Sequence, residues 1–164
     1  MNCPRNLTDK IIQRGPLSEQ LRTAQAAGRT VALANGLFDL LHVGHLRYLE
    51  GASHEADLLV VAINADASAR RLKGPSRPVV PEAERAELVA GFACVDHVVL
   101  FAEDDVERVL RELRPDVHCK GTDYTNETVP ERDVAVSLGV RIAIVGDPKS
   151  HATRDLIRQI RDES

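Results

Sequence analysis

Six consecutive apolar residues, Leu58 to Ile63 (LLVVAI), leave a strand at this position no polar face to turn toward water. Such a run marks a strand buried on both sides, and strands of that kind belong to parallel sheets covered by helices. The remainder of the chain repeats the theme. Val31 to Ala34 is a short apolar run, His97 to Phe101 a third buried one, and Asp116 to Cys119 and Val140 to Val145 read as two further short strands. Helical patterns separate them. One runs from Val43 to about Glu55 and carries Leu46, Leu49 and Ala52; another begins at Pro81 with Glu82 and Glu84 in its first turn. Glu103 to Leu113 puts Val106, Val109, Leu110 and Leu113 on one face. Shorter helical stretches follow around Asp133 to Leu138 and from about Thr153 to Arg161, while Asn64 to Val80 reads as a polar, Pro-broken connection. The first thirty residues read as a helical lead-in, with Ser18 as N-cap, Leu21, Ala24 and Ala27 on one face, and Gly28 as the stop. This alternation predicts an α/β fold, a Rossmann-like five-stranded parallel sheet with helices on both faces.

At 164 residues the chain suits one domain, a lead-in over 1–29 and a core over 30–164. Hydrophobic residues at 43% and charged residues at 28% place it among soluble globular proteins. No apolar run reaches membrane-spanning length, and Met1 to Arg5 shows no signal-peptide core, so the cytoplasm is the expected location. A net charge of −4 and 3% aromatic residues argue against nucleic acid as a general partner. Cys3, Cys94 and Cys119 have no paired spacing, which predicts neither disulfides nor a zinc site; all three are expected reduced, Cys94 and Cys119 as small buried hydrophobes. Lysines are scarce: Lys10, Lys73, Lys120 and Lys149 are all there are.

Ligands of open parallel sheets sit beyond the carboxyl ends of the strands, so the loops there carry the chemistry. After the first strand the chain reads Asn35-Gly36-Leu37-Phe38-Asp39-Leu40-Leu41-His42-Val43-Gly44-His45. Gly36 admits a close backbone approach to a ligand, and Gly44 keeps the loop-to-helix turn uncrowded. His42 and His45 are three apart at a helix start, which puts both rings on one face. Free N–H groups and the helix dipole already favour anions there, and two added imidazoles suit phosphates. Metal ligation competes with this reading but lacks a third and fourth ligand at useful spacing. Capping or packing also competes, and a Gly-spaced pair directly after a buried strand argues against it. Neither G-x-G-x-x-G nor G-x-x-x-x-G-K-[ST] occurs, which excludes the two commonest phosphate loops.

The segment G-x-F-D-x-x-H-x-G-H, Gly36 through His45, resembles the signature of the HxGH nucleotidyltransferases, specifically their cytidylyltransferase-like branch. Val61 to Ser68, followed by Arg71-Leu72-Lys73-Gly74 and Ser76-Arg77-Pro78-Val79, resembles the adenylyltransferase domain of ADP-heptose synthases. So does Arg114-Pro115-Asp116 leading into Lys120-Gly121-Thr122-Asp123-Tyr124, and the likeness extends over roughly residues 30 to 160. The resemblance implies attack by a sugar-phosphate oxygen on the α-phosphate of ATP, with pyrophosphate leaving and no covalent intermediate. The protein's part is then positioning and charge stabilisation. The implied substrate is D-glycero-D-manno-heptose 1-phosphate, supplied by a separate sugar kinase, and the implied product is ADP-heptose for lipopolysaccharide. A homodimer and Mg²⁺ carried largely by the triphosphate come with the likeness. A cytidylyltransferase for a small phospho-alcohol such as glycerol 3-phosphate shares the first motif and is the alternative enzyme. A nucleotide-binding protein without catalysis is the alternative of a different class.

In the same likeness His42 and His45 donate to phosphate oxygens rather than act as bases, because the attacking phosphate is already ionised. Asn35, Gly36, Phe38, Asp39 and Gly44 shape the nucleotide pocket, with Asp39 also orienting neighbouring loops. Lys73 falls in a Gly- and Pro-bounded loop near Arg70, Arg71 and Arg77. A solvated basic loop is the plain alternative, but the position after a buried strand favours phosphate binding by Lys73 and Arg77. Asp66 is a substrate ligand or an N-cap. Lys120, Gly121 and Asp123 meet the nucleotide, or else form a surface turn. Near the C-terminus the pattern breaks: Ala152-Thr153-Arg154 stands where the family has a hydroxyl-rich segment, leaving Thr153 for phosphate or as an N-cap. Thr122 stands where the heptose branch commonly has Gly. No residue is assigned to a metal.

Overall fold

The structure, a computed structural model, describes residues 6–148 and 152–162. Five parallel strands, β1 (Val31–Gly36), β2 (Leu58–Asn64), β3 (His97–Phe101), β4 (Val117–Gly121) and β5 (Arg141–Val145), lie in the order β3-β2-β1-β4-β5. The chain builds outward from β1 to β3, then returns to the other side of β1 for β4 and β5. Connections leaving β1 and β4 therefore run to opposite sides, and a crevice opens between their carboxyl ends.

Every residue of β2 is buried, as the LLVVAI run demands of a central strand. Side chains alternate between two cores. On one face Ala32, Ala34, Val61 and Ile63 meet Leu49 and Ala52 of α2 (Val43–Ser53) and Val89 of α4 (Glu82–Ala90). On the other, Leu33, Val60, Ala62 and Val99 meet Leu17 and Leu21 of α1 (Arg14–Ala26), Leu110 of α5 (Glu107–Leu113) and Val134 of α6 (Arg132–Ser137). Each fully buried Leu or Val contributes about 1.5–3 kcal/mol, so the two stripes fix which helix lies on which face. The short α3 (Asp66–Lys73) follows β2, and α7 (Thr153–Asp162) follows β5.

Some elements depart from the sequence reading for identifiable reasons. Helix α1 begins at Arg14 rather than Ser18, because Pro16 in its first turn has no N–H to leave unpaired. Ser18 is buried inside the helix and donates its hydroxyl to the Glu112 carbonyl at 2.8 Å. Gly28, with φ +86°, ends it as expected. Helix α5 starts a turn later than Glu103: the Glu103 carboxylate is held by Arg14 at 2.8 Å, and Asp105 accepts the Glu107 N–H at 3.0 Å in an Asx turn. Helix α3 lies inside the stretch that reads as a connection, since it buries only the small residues Ser68 and Ala69 and carries no apolar period. Leu46 is 40% exposed rather than core-facing. Cys94 is half-buried, Cys119 is buried, and both are free thiols; Cys3 lies outside the described residues. Among the described residues no helix is long and apolar enough to cross a membrane.

Candidate active site

A cleft of about 270 Å³ occupies the crevice. Three strand ends supply its walls: β1 through His42, Gly44, His45, Arg47 and Tyr48, β4 through Gly121, Thr122 and Asp123, and β5 through Val145 to Pro148. Ala152 and Thr153 complete it from the start of α7.

Helix α2 begins at His42, whose extended backbone (φ −142°, ψ 171°) turns the chain into the helix. The His42 N–H donates to Nδ1 of His45 at 3.3 Å, and the His45 N–H donates to the His42 carbonyl at 3.0 Å. The two rings stack with centroids 3.9 Å apart. Because Nδ1 of His45 accepts, a neutral ring carries its proton on Nε2, a donor on a residue that lines the cleft. Burial, and after it the charge of His42, pushes the His45 pKa down to about 4, so the ring is neutral at pH 7. A neutral N–H donor at a helix N-terminus can meet negative charge without having to titrate.

Beneath His45 lies Phe38, buried, with its ring 5.3 Å from the imidazole and 6.4 Å from the ring of Tyr48. A Cβ at Gly36 would meet the Phe38 ring at 3.0 Å. Phe38 therefore crowds any side chain at position 36, and its ring lies as a platform under the histidine, outside the residues that line the cleft. Tyr48 donates its hydroxyl to the Cys119 carbonyl at 2.8 Å, which ties α2 to β4.

Two buried charges organise the loops around this platform. Asp39 accepts from the N–H groups of Val79 and Val80 (both 2.9 Å) and from Arg77 Nε (2.7 Å) and Nη2 (2.6 Å). Burial alone would raise its pKa; the Val80 and Val79 N–H groups and then the Arg77 guanidinium outweigh that and hold it below the usual carboxylate value. Arg85 is fully buried and donates to the carbonyls of Leu37 (2.6 Å), Asn64 (2.8 Å) and Val80 (2.9 Å) and to the Asp66 carboxylate (2.9 Å). One guanidinium thus joins the ends of β1 and β2 to the 77–80 segment. Asp66 is engaged by Arg85, and Ala65 takes the cap position of α3, so Asp66 is not the N-cap.

A third cluster lies on the α6 side of β4. Lys120 is buried, paired with Glu131 at 3.3 Å, within 3.4 Å of Asn35 Oδ1 and 4.9 Å from the Tyr124 ring centroid. His118 Nε2 lies 3.1 Å from the same Asn35 oxygen. Burial, then the Lys120 charge, pushes the His118 pKa down to about 3.

Of the residues singled out in the sequence, His42, Gly44, His45, Gly121, Asp123 and Thr153 line the cleft. Asn35, Gly36, Phe38, Asp39, Asp66, Arg77 and Lys120 stand behind its walls in the contacts just described. Lys73 ends a helix instead of sitting in a loop; it is exposed and has no partner among the described residues. Thr153 donates to the Leu40 carbonyl at 3.2 Å, while Ala152 accepts the first helical N–H of α7, so the threonine is not the cap. Arg154 is exposed and off the cleft walls. Among the described residues no group of three or more His, Cys, Asp or Glu is arranged to hold a metal. Sequence reasoning missed Arg47, Asp147, Arg85 and Glu131. Only Arg85 leaves a local trace, an arginine in the buried stripe with Ala86, Val89 and Ala90.

The cytidylyltransferase-like family matches residues 33–158, from β1 into α7. The bifunctional protein HldE of Syntrophotalea carbinolica is 46% identical over 153 residues, 93% of this chain and 31% of the relative. HldE of Geotalea uraniireducens is 44% identical over 155 residues, 94% of this chain and 32% of the relative. The chain therefore spans about a third of the length of these relatives. The crystal structure of the lipopolysaccharide core biosynthesis protein from Thermoplasma volcanium GSS1 matches with a TM-score of 0.63 at 27% identity, covering 74% of this chain and 100% of that one. A histidine pair opening a helix at the reversal point of a 3-2-1-4-5 parallel sheet agrees with that match across the core, and the chain belongs to the cytidylyltransferase-like family.

Proposed function

We propose that the protein transfers AMP from ATP to D-glycero-D-manno-heptose 1-phosphate, giving ADP-heptose and pyrophosphate. The observation that carries the chemistry is the neutral His45 ring, protonated on Nε2, at the N-terminus of α2 in the cleft. The likeness to ADP-heptose synthases and the 46% identity to an HldE protein support the heptose substrate over other sugar phosphates.

In the reaction a phosphate oxygen of the sugar phosphate bonds to the α-phosphorus as the bond to the β-phosphate oxygen breaks. Pyrophosphate leaves with the electron pair. The attacking oxygen is already ionised, so no base is needed. His42, His45 and the free N–H groups of α2 meet the charge on the α-phosphoryl oxygens. Gly121 and Asp123 take the nucleoside, with Gly44 and Thr153 beside the phosphates. We assign Lys73 to the triphosphate, because its ammonium is exposed at the end of α3, four residues before the Arg77 that Asp39 holds. Asn35, Gly36, Phe38, Asp39, Lys120, Asp66 and Arg77 act on the site through the contacts that hold these residues in place. The nucleotide enters as its Mg²⁺ complex, the metal held by triphosphate oxygens. In the same reading a sugar kinase supplies the substrate, and the enzyme is a cytoplasmic homodimer.

Pyrophosphate release in the presence of Mg²⁺, crossing ATP and CTP against heptose 1-phosphate and glycerol 3-phosphate, tests the reading. Release with ATP and the heptose alone is expected. Release with CTP and glycerol 3-phosphate alone would overturn the substrates and keep the mechanism. Silence in every combination while ATP still binds would leave a nucleotide-binding protein without catalysis.

A further inference from the structure

Two side chains of opposite charge meet across the mouth of the cleft. Arg47, on α2, donates from Nη1 to Oδ2 of Asp147, just beyond β5, at 2.7 Å. Both line the cleft, and their side chains are 47% and 52% exposed. The backbone brings them together. Gly146 turns with φ +93°, and a Cβ there would meet the Tyr48 Cα at 3.2 Å. A Cβ on Gly51 would in turn meet the Gly146 nitrogen at 3.1 Å. These two glycines let the end of β5 press against α2, and the close approach of Gly146 to Tyr48 falls one residue from each member of the pair. On the opposite side Thr122 donates its hydroxyl to the Asp147 carbonyl at 2.7 Å. The Asp147 backbone is clamped from both sides, while its carboxylate and the Arg47 guanidinium keep half their surface in solvent.

We propose that Arg47 is a ligand for the phosphate oxygens of the nucleotide, and that Asp147 is its built-in competitor and so sets the affinity. The inference rests on the reading that the cleft takes ATP. A guanidinium fork fits phosphate oxygens as well as it fits a carboxylate. A half-exposed ion pair contributes little and exchanges readily, and a triphosphate brings several negative charges against the carboxylate's one. When Arg47 swings to the nucleotide, Asp147 turns to water; no bond is made or broken and no proton moves. The clamp on the Asp147 backbone keeps the carboxylate within reach, so every binding event competes with it.

Calorimetric titration of the whole chain with MgATP, adenosine and heptose 1-phosphate tests this, using R47M, D147N and the double variant. R47M is expected to raise the Kd for ATP about tenfold and D147N to lower it about threefold. The double variant is expected to match R47M, because Asp147 acts only through Arg47. Adenosine, which has no phosphate, is expected to bind all four proteins alike. Tighter ATP binding by D147N that persists in the double variant, or no tightening at all, would overturn the competition. A shift seen only with heptose 1-phosphate would overturn the assignment to the nucleotide. If the unsubstituted protein binds no ATP, the reading beneath the inference fails and takes it along; if it does bind and the variants are indistinguishable, the inference fails alone.

Discussion

His45 keeps its ring proton on Nε2 because Nδ1 is occupied by the His42 N–H, and burial keeps the ring neutral down to about pH 4. A histidine acting as a base at neutral pH needs the opposite, a pKa near 7 and a free lone pair. The expected outcome is a flat ring-carbon NMR titration of His45 between pH 8 and 5.5. A midpoint near 6.5 would overturn the neutral-donor role. Removing the donor in H45A, or its neighbour in H42A, is expected to lower turnover by about a hundredfold or more. Near-normal turnover in a folded variant would remove either residue from the charge-stabilising role. The spacing of His42, Gly44 and His45 is legible in the sequence, since it lies within one helical turn. The tautomer is not, because it depends on a single backbone bond, and neither is the platform that Gly36 and Phe38 form beneath it.

Helix α4 carries the residue that holds several elements together. Arg85 sits on its buried stripe, and losing the guanidinium would strand the Leu37, Asn64 and Val80 carbonyls and the Asp66 carboxylate. R85L is expected to lower the free energy of unfolding by about 3–5 kcal/mol in urea denaturation. R85K is expected to recover part of that, since an ammonium reaches fewer of the acceptors. A loss below about 1 kcal/mol in R85L would show that the acceptors find other partners. Strands β1 to β5 and the stripes of α2 and α5 are readable because long apolar runs and helical periods admit few alternatives. Helix α3 is not, for it buries Ser68 and Ala69 and owes its place to Arg85 and Asp66. Asp39 shows the same limit: its partners Arg77, Val79 and Val80 lie some forty positions away, and only folding brings them together.

The molecule as a whole is poised against acid. His118 has its pKa pushed down to about 3 and His45 to about 4, and burial lowers that of His97. Each has the ordinary value, about 6.5, once unfolded. Their contribution to stability is complete above that value and is lost as pH falls toward 4 and then 3, because the unfolded chain takes up protons that the folded one refuses. Asp39, held below the ordinary carboxylate value, withdraws its share as pH falls below that value. At about 1.4 kcal/mol per unit, His118 alone accounts for on the order of 4–5 kcal/mol. The melting temperature is expected to be level from pH 8 to 7 and to fall steadily between pH 6.5 and 4.5. A level profile over that lower interval would overturn the burial of neutral histidines. The segment ahead of α1 runs along an edge of the sheet. Ile11 bridges to Val98 and the Ile12 N–H donates to the Val98 carbonyl at 2.9 Å, along the outer side of β3. Part of the rim of the sheet is thus already occupied by the protein's own backbone, and where many copies crowd together a stray strand finds less there on which to polymerise.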